Sequence, residues 1–174
     1  EITPMTAYLL GEILTEAGLP KGVLNIIHGL GTTTGQAIVE HPNIKAISFT
    51  GGTKTGAHIA KVAAPMFKKL SLELGGKNPA IIFSDCDYNE MLQTTVRSSF
   101  ANQGQICLCG SRIFVEASLY QKFKTDFIAA VSKLKVGSPF NNDTDIGALV
   151  SKTHLNKVKS YVDKAEQYGG KVNF

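Results

Sequence analysis

The chain has 174 residues, 43% of them hydrophobic and 18% charged, a globular balance that predicts a sizeable core. Its net charge of +4 is mild and its lysines are scattered, which argues against nucleic-acid binding because no basic stripe is interleaved with aromatics. No apolar run is long enough to span a membrane, and an odd set of three cysteines fits a reducing, cytoplasmic compartment better than a disulfide scaffold.

Thr3 and Pro4 precede MTAYLLGEILTEAG, where Ala7, Leu10, Ile13, Leu14 and Ala17 recur at helical spacing. Thr3 is expected to cap this helix and Gly18 to stop it. GVLNIIHG, residues 22–29, is a short apolar run between glycines and predicts a buried strand ending near His28. GTTTGQAIVEH reads as loop into helix. IKAISFTGG predicts a second buried strand, and TKTGAHIAKVAAP a helix closed by Pro65. KKLSLELGG and NPAIIF predict two further strands. DYNEMLQTTVRSSFANQG is a long helix with Asp87 as its N-cap. SRIFVEASL contains a strand. YQKFKTDFIAAVSKLK is amphipathic, with Phe123, Phe127, Ala130, Val131 and Leu134 on one stripe. SKTHLNKVKSYVDKAEQYGG is a last helix, and KVNF begins a further strand.

Strands alternating with helices predict an α/β fold with parallel strands. The expected seam is ELGGKNP, Glu73 to Pro79, where two strands follow one another without a helix between them. Both ends read as cut, so an internal piece of a larger protein is expected.

Three features carry chemistry. Gly29, Gly31 and Gly35 follow one predicted strand, and Gly51, Gly52 and Gly56 follow the next. Glycine there lets a ligand approach the backbone, and a helix start offers free N–H groups to an anion. Neither loop is G-x-G-x-x-G or a P-loop, so either alone reads first as an ordinary turn, while the two in consecutive βα units together read equally as a nucleotide site or as turns. Glu73 stands among Leu70, Leu72 and Leu74. It is either a desolvated carboxylate poised as a base or a residue of the polar strand face shared with Ser71. Cys107 and Cys109 lie in NQGQICLCGSR. No histidine stands at ligand spacing, so a metal clamp is disfavoured, and two near-adjacent cysteines make a strained disulfide. That leaves inert buried thiol or reactive thiol. Cys107, after a glycine in a polar turn, suits a thiolate, and Cys109, leading into a strand, suits core filling.

Taken in order, ISFTGGTKTG, LSLELGGKNP and FANQGQICLCGSR resemble the aldehyde dehydrogenase superfamily, and the resemblance runs from Glu1 to Phe174. The ICLC loop, with RSSFANQG before it, is most similar to the 2-aminomuconic and 2-hydroxymuconic semialdehyde dehydrogenases. The resemblance implies a partial Rossmann-like parallel-sheet nucleotide domain, residues 1–76, followed by part of an α/β catalytic domain, residues 77–174. It implies Cys107 as the nucleophile and Glu73 as the base that hydrolyses a thioester. It implies NAD as cofactor, with NADP open, held by Phe49, Thr50, Gly51, Gly52 and Gly56. Thr55 corresponds to a residue packing on adenine, Gly29 to a loop glycine near the adenosine, Leu74 to a neighbour of the nicotinamide, and Glu1 to a ribose contact. Gly52 departs from the family's common serine, which removes a hydroxyl from the pyrophosphate loop.

The same resemblance implies a small-molecule aldehyde substrate and a homo-oligomeric parent. It places an oxyanion asparagine upstream of Glu1, with an E-x-F-G-P segment and the oligomerisation strands beyond Phe174. The isolated chain is therefore expected to turn over aldehyde poorly. Two other readings stand beside it: an inert fragment or pseudoenzyme that only binds nucleotide or a partner, and a cysteine hydrolase using His154 or His58. Neither histidine has a recognisable setting for the latter.

Overall fold

The computed structural model describes residues 1–173. The chain falls into two units, Glu1–Gly75 and Gly76–Phe174, each with its own two-stranded parallel sheet.

In the first unit, helix α1 (Met5–Glu16) begins from Pro4, not from a Thr3 cap, and no side chain caps it. Pro4 is itself in helical conformation, and its carbonyl accepts from the Tyr8 N–H at 3.0 Å, so the first turn starts there. Gly18, at φ +85°, stops the helix as expected, with the Leu19 N–H returning to the Leu14 carbonyl at 2.9 Å. The strand expected at 22–29 does not form. A strand exists only by pairing, and no ladder partner lies beside this segment among the described residues. Val23, Leu24 and Ile27 are consequently exposed.

A π-helical turn, Gly31–Gly35, runs directly into the short helix α2 (Gln36–Glu40). Strand β1 (Ala46–Gly51), helix α3 (Thr53–Ala63) and strand β2 (Lys69–Leu74) then make a parallel crossover unit. Its register sets Phe49 opposite Leu72, Thr50 opposite Glu73 and Gly51 opposite Leu74. Val39, Ile59 and Ala63 are buried in this unit. Lys68 is buried too, its Nζ donating to the Val39 carbonyl at 2.5 Å and the His41 carbonyl at 2.7 Å. Its charge thereby meets the free carbonyls at the end of α2.

In the second unit, β3 (Asn78–Ile82) pairs in parallel with β4 (Gly110–Val115), with an irregularity between Asn78 and Pro79. Proline has no N–H for the ladder, which accounts for the break. Helix α4 (Tyr88–Phe100) lies between them in sequence, capped by Asp87, whose Oδ1 accepts from the Asn89 and Glu90 N–H groups at 3.1 Å each. Helix α5 (Tyr120–Val131) packs on α4 through Phe123, Phe127 and Phe100, with ring centroids 5.1 and 6.0 Å apart. Tyr88 joins the same pair of helices, donating its hydroxyl to Asp126 at 2.7 Å.

Helix α6 (Lys152–Gln167), capped by Ser151, buries no side chain. Residues 171–173 form no strand, and the rest of the expected KVNF strand, Phe174, lies outside the described residues. The core is smaller than composition suggests. Each sheet has only two strands, so large apolar side chains such as Ile81, Phe83, Leu108 and Phe114 stay exposed.

Candidate active site

In the first unit, β1 delivers the chain to Gly52, which is extended (φ −72°, ψ 142°) and starts α3. No side chain caps this helix and no acidic residue stands in its first turn. Its leading N–H groups are therefore open to an anion. Gly56, buried one turn on, lies against Leu74: a Cβ there would come within 2.6 Å of the Leu74 Cδ2. Glycine thus lets α3 settle onto the end of β2. At Gly29 a Cβ would fall 2.9 Å from the Thr34 Cβ, so the chain passes too close for any side chain.

A pocket of about 230 Å³ opens beside α3, its walls including Phe49, Thr55, Ile38, Ile47 and Ile59. The structure therefore brings Phe49 and Thr55 together, with Thr50, Gly51 and Gly52 following at the end of the same strand. Glu1 and Gly29 are not among its walls. Glu73 is exposed, as is Ser71, while Leu72 and Leu74 are half-buried. The strand's alternation decides this, and it favours the reading of Glu73 as a residue of the polar strand face shared with Ser71.

In the second unit, α4 ends at Phe100, four residues before the expected Gly104. The reason is conformational: Asn102 (φ 49°, ψ 48°), Gln103 (φ 55°, ψ 26°) and Gly104 (φ 71°) are all left-handed. Two such non-glycine residues in succession are costly and need external support. The Gln103 side chain supplies some, donating to the Gly147 carbonyl at 3.0 Å and accepting from the Gln105 side chain at 2.9 Å. At Gly104 a Cβ would lie 2.9 Å from the Ser99 carbonyl oxygen.

A tight turn follows, closed by the Cys109 N–H donating to the Ile106 carbonyl at 3.0 Å. Cys107 and Leu108 occupy its two central positions. Cys107 is exposed, whereas Cys109 is buried with its Sγ 3.8 Å from the Ala101 carbonyl. Among the described residues no hydrogen bond engages the Cys107 N–H. The turn is pinned from β3: the Asn78 Nδ2 donates to the Cys107 carbonyl at 2.6 Å and the Cys109 carbonyl at 3.2 Å. Ser98 and Ser99 hold Gly110, one accepting from its N–H at 3.2 Å and the other donating to its carbonyl at 3.1 Å.

Sequence reasoning did not assign Asn78 a role. Its only signal was a polar amide at the head of an apolar strand. Among the described residues no group of His, Cys, Asp or Glu is arranged to hold a metal ion, and no helix is long and apolar enough to cross a membrane.

The aldehyde dehydrogenase family model matches residues 1–174. The 2-aminomuconic semialdehyde dehydrogenase of Homo sapiens is 53% identical over 172 residues, covering 99% of this chain and 35% of that protein. The 2-aminomuconic 6-semialdehyde dehydrogenase of a Pseudomonas species is 45% identical over 170 residues, covering 97% of this chain and 35% of that protein. Betaine aldehyde dehydrogenase from Staphylococcus aureus, solved in complex with NAD+, superposes with a TM-score of 0.94 at 40% identity, covering 99% of this chain and 34% of that one. The chain spans about a third of the length of these relatives. With the family model matched from end to end, the chain belongs to the aldehyde dehydrogenase family.

Proposed function

We propose that the protein carrying this chain oxidises an aldehyde to a carboxylic acid with NAD, using Cys107 as nucleophile and Glu73 as base. The substrate is a muconic semialdehyde, the class named for its 2-aminomuconic relatives. The observation that carries the reading is the Cys107 turn. It exposes one thiol at its tip and buries the other.

The first unit fits the dinucleotide. The uncapped start of α3 offers Gly52 to Thr55 backbone N–H groups to a pyrophosphate, and the apolar pocket beside Thr55 suits a flat ring. Gly52 leaves the approach open, since nothing lies within 4 Å of where its Cβ would be. NAD, when bound, supplies the hydride acceptor.

This chain's residues do the rest. The Cys107 thiolate attacks the aldehyde carbon, forming a C–S bond as the carbonyl electron pair moves to oxygen. The free Cys107 N–H is available to that oxyanion. After oxidation the acyl group stays on Sγ as a thioester. The Glu73 carboxylate takes a proton from water as the water oxygen attacks the acyl carbon. The C–S bond breaks, the thiolate departs and the acid is released. The exposed setting of Glu73 on β2 supports this role, because a general base must reach water.

Thiol reactivity tests the nucleophile in the full-length protein. Iodoacetamide labelling followed by peptide mass spectrometry should modify Cys107 well before Cys86 or Cys109. Slow and equal modification of all three overturns the assignment.

A further inference from the structure

We infer that Arg112 is a positioning residue for Cys107, acting through the Lys77 carbonyl and the Asn78 side chain. The inference deepens the reading of Cys107 as nucleophile and rests on it.

The β3–β4 register sets Asn78 opposite Gly110 and Pro79 opposite Arg112, so Ser111 is passed over. An extra residue of this kind is a bulge, and bulges re-aim the side chains beside them. Arg112 reaches back along β3. Its Nε donates to the Lys77 carbonyl at 3.1 Å, and its Nη2 donates to the same oxygen at 2.7 Å. A planar fork with two donors on one acceptor holds that oxygen in place. The Phe114 ring, on the same face of β4, lies 6.0 Å from the Arg112 Cζ and flanks the guanidinium. Among the described residues Arg112 forms no ion pair, so its side chain is committed to this carbonyl and not to a carboxylate.

The Lys77 carbonyl belongs to the peptide plane that leads into Asn78. Fixing that plane fixes where the Asn78 side chain sets out from. Its Nδ2 then serves two acceptors, the Cys107 carbonyl at 2.6 Å and the Cys109 carbonyl at 3.2 Å. Carbonyls only accept, so the NH₂ must face them, and it has a hydrogen for each. The Cys107 carbonyl lies at the centre of the turn that carries the thiol, in one plane with the Leu108 N–H. Arg112 thus bears on the nucleophile through two bonded links, and neither touches the sulfur. An arginine that was merely a solvated charge on the strand would leave Cys107 indifferent to its loss.

The test is iodoacetamide labelling of the full-length protein, with Cys86 and Cys109 read in the same sample. Arg112→Leu keeps an apolar stem beside Phe114 and removes the donors. It should slow Cys107 labelling by about two- to tenfold, the worth of a hydrogen bond, and leave the other two cysteines unchanged. The burst of reduced dinucleotide should slow by the same factor while Kd for NAD holds. Arg112→Lys, which can still donate to the carbonyl, should recover part of the loss. Asn78→Asp, the same shape without donors, should slow Cys107 by about tenfold. Because the links act in series, the double variant should be no slower than Asn78→Asp alone. Multiplied effects in the double variant, or unchanged Cys107 labelling in Arg112→Leu, overturn the relay and leave the nucleophile assignment intact. Faster labelling of Cys109 marks a general loosening and also overturns the relay. Slow and equal labelling of all three cysteines in the unsubstituted protein overturns the nucleophile assignment and the relay together.

Discussion

Two glycine-bearing turns present the groups of interest, and they are built in opposite ways. The β1–α3 turn passes through Gly52 in an ordinary extended conformation and exposes its N–H groups simply because a helix begins there. The α4–β4 turn strings three left-handed residues together and is held from outside by Asn78, two serines and the Gly147 carbonyl, which accepts from the Gln103 side chain. Offering donors to an anion needs only the end of a regular element. Presenting one thiol at a tip while burying its neighbour two residues later needs a contorted backbone and dedicated supports. The second turn should therefore be far more sensitive to single substitutions than the first.

The largest effect expected is at the tip itself. Cys107→Ala in the full-length protein should lower kcat by more than about 10⁴-fold with NAD affinity unchanged, because removing a covalent nucleophile removes its pathway. Steady-state kinetics with a dinucleotide titration checks it. Retained turnover breaks the contrast, since the second turn would then present nothing essential.

Glu73→Gln should lower turnover by about 10²–10⁴-fold while the first acylation survives, the signature of a lost base. Rapid mixing should show one burst of reduced dinucleotide and then a stall. Loss of the burst as well would mean that Glu73 serves an earlier step.

Asn78→Ala removes both hydrogen bonds that pin the Cys107 turn. A loss of about 1–3 kcal/mol in stability is expected, together with slower iodoacetamide modification of Cys107. Unchanged thiol reactivity would show that the turn holds itself.

Gly104→Ala forces a side chain onto a left-handed residue, 2.9 Å from the Ser99 carbonyl. It should destabilise by about 1–3 kcal/mol, read from the urea midpoint. Gly52→Ala offers the matching change in the first turn, where no atom lies within 4 Å. It should cost less than about 1 kcal/mol. Equal costs would erase the difference between the turns.

Much of this architecture was legible along the chain. IKAISFTGG and KKLSLELGG yield β1 and β2 as expected, though β1, read as a buried strand, alternates between exposed and half-buried residues because neighbouring residues of a strand face opposite ways. The stripe from Phe123 to Val131 yields α5, and Asp87 announces the start of α4 through a bond to its own neighbours. The same alternation places Glu73 on an exposed face although leucines flank it in sequence. GVLNIIHG misled because an apolar run states a preference for burial, whereas a strand also needs a partner. The left-handed Asn102 and Gln103 were hidden because neither residue type demands that conformation.

By itself, the order of residues determined the helices, the paired strands and the motifs that mark the family, since each depends on contacts between near neighbours or on a local pattern. Tertiary structure alone decided that Asn78 grips the Cys107 turn across 29 residues of chain. It also decided that Lys68 seals the end of α2, and that the Gln36 side chain bridges Glu40 and His58. Those are directional bonds between groups brought together by packing, and periodicity carries no record of them.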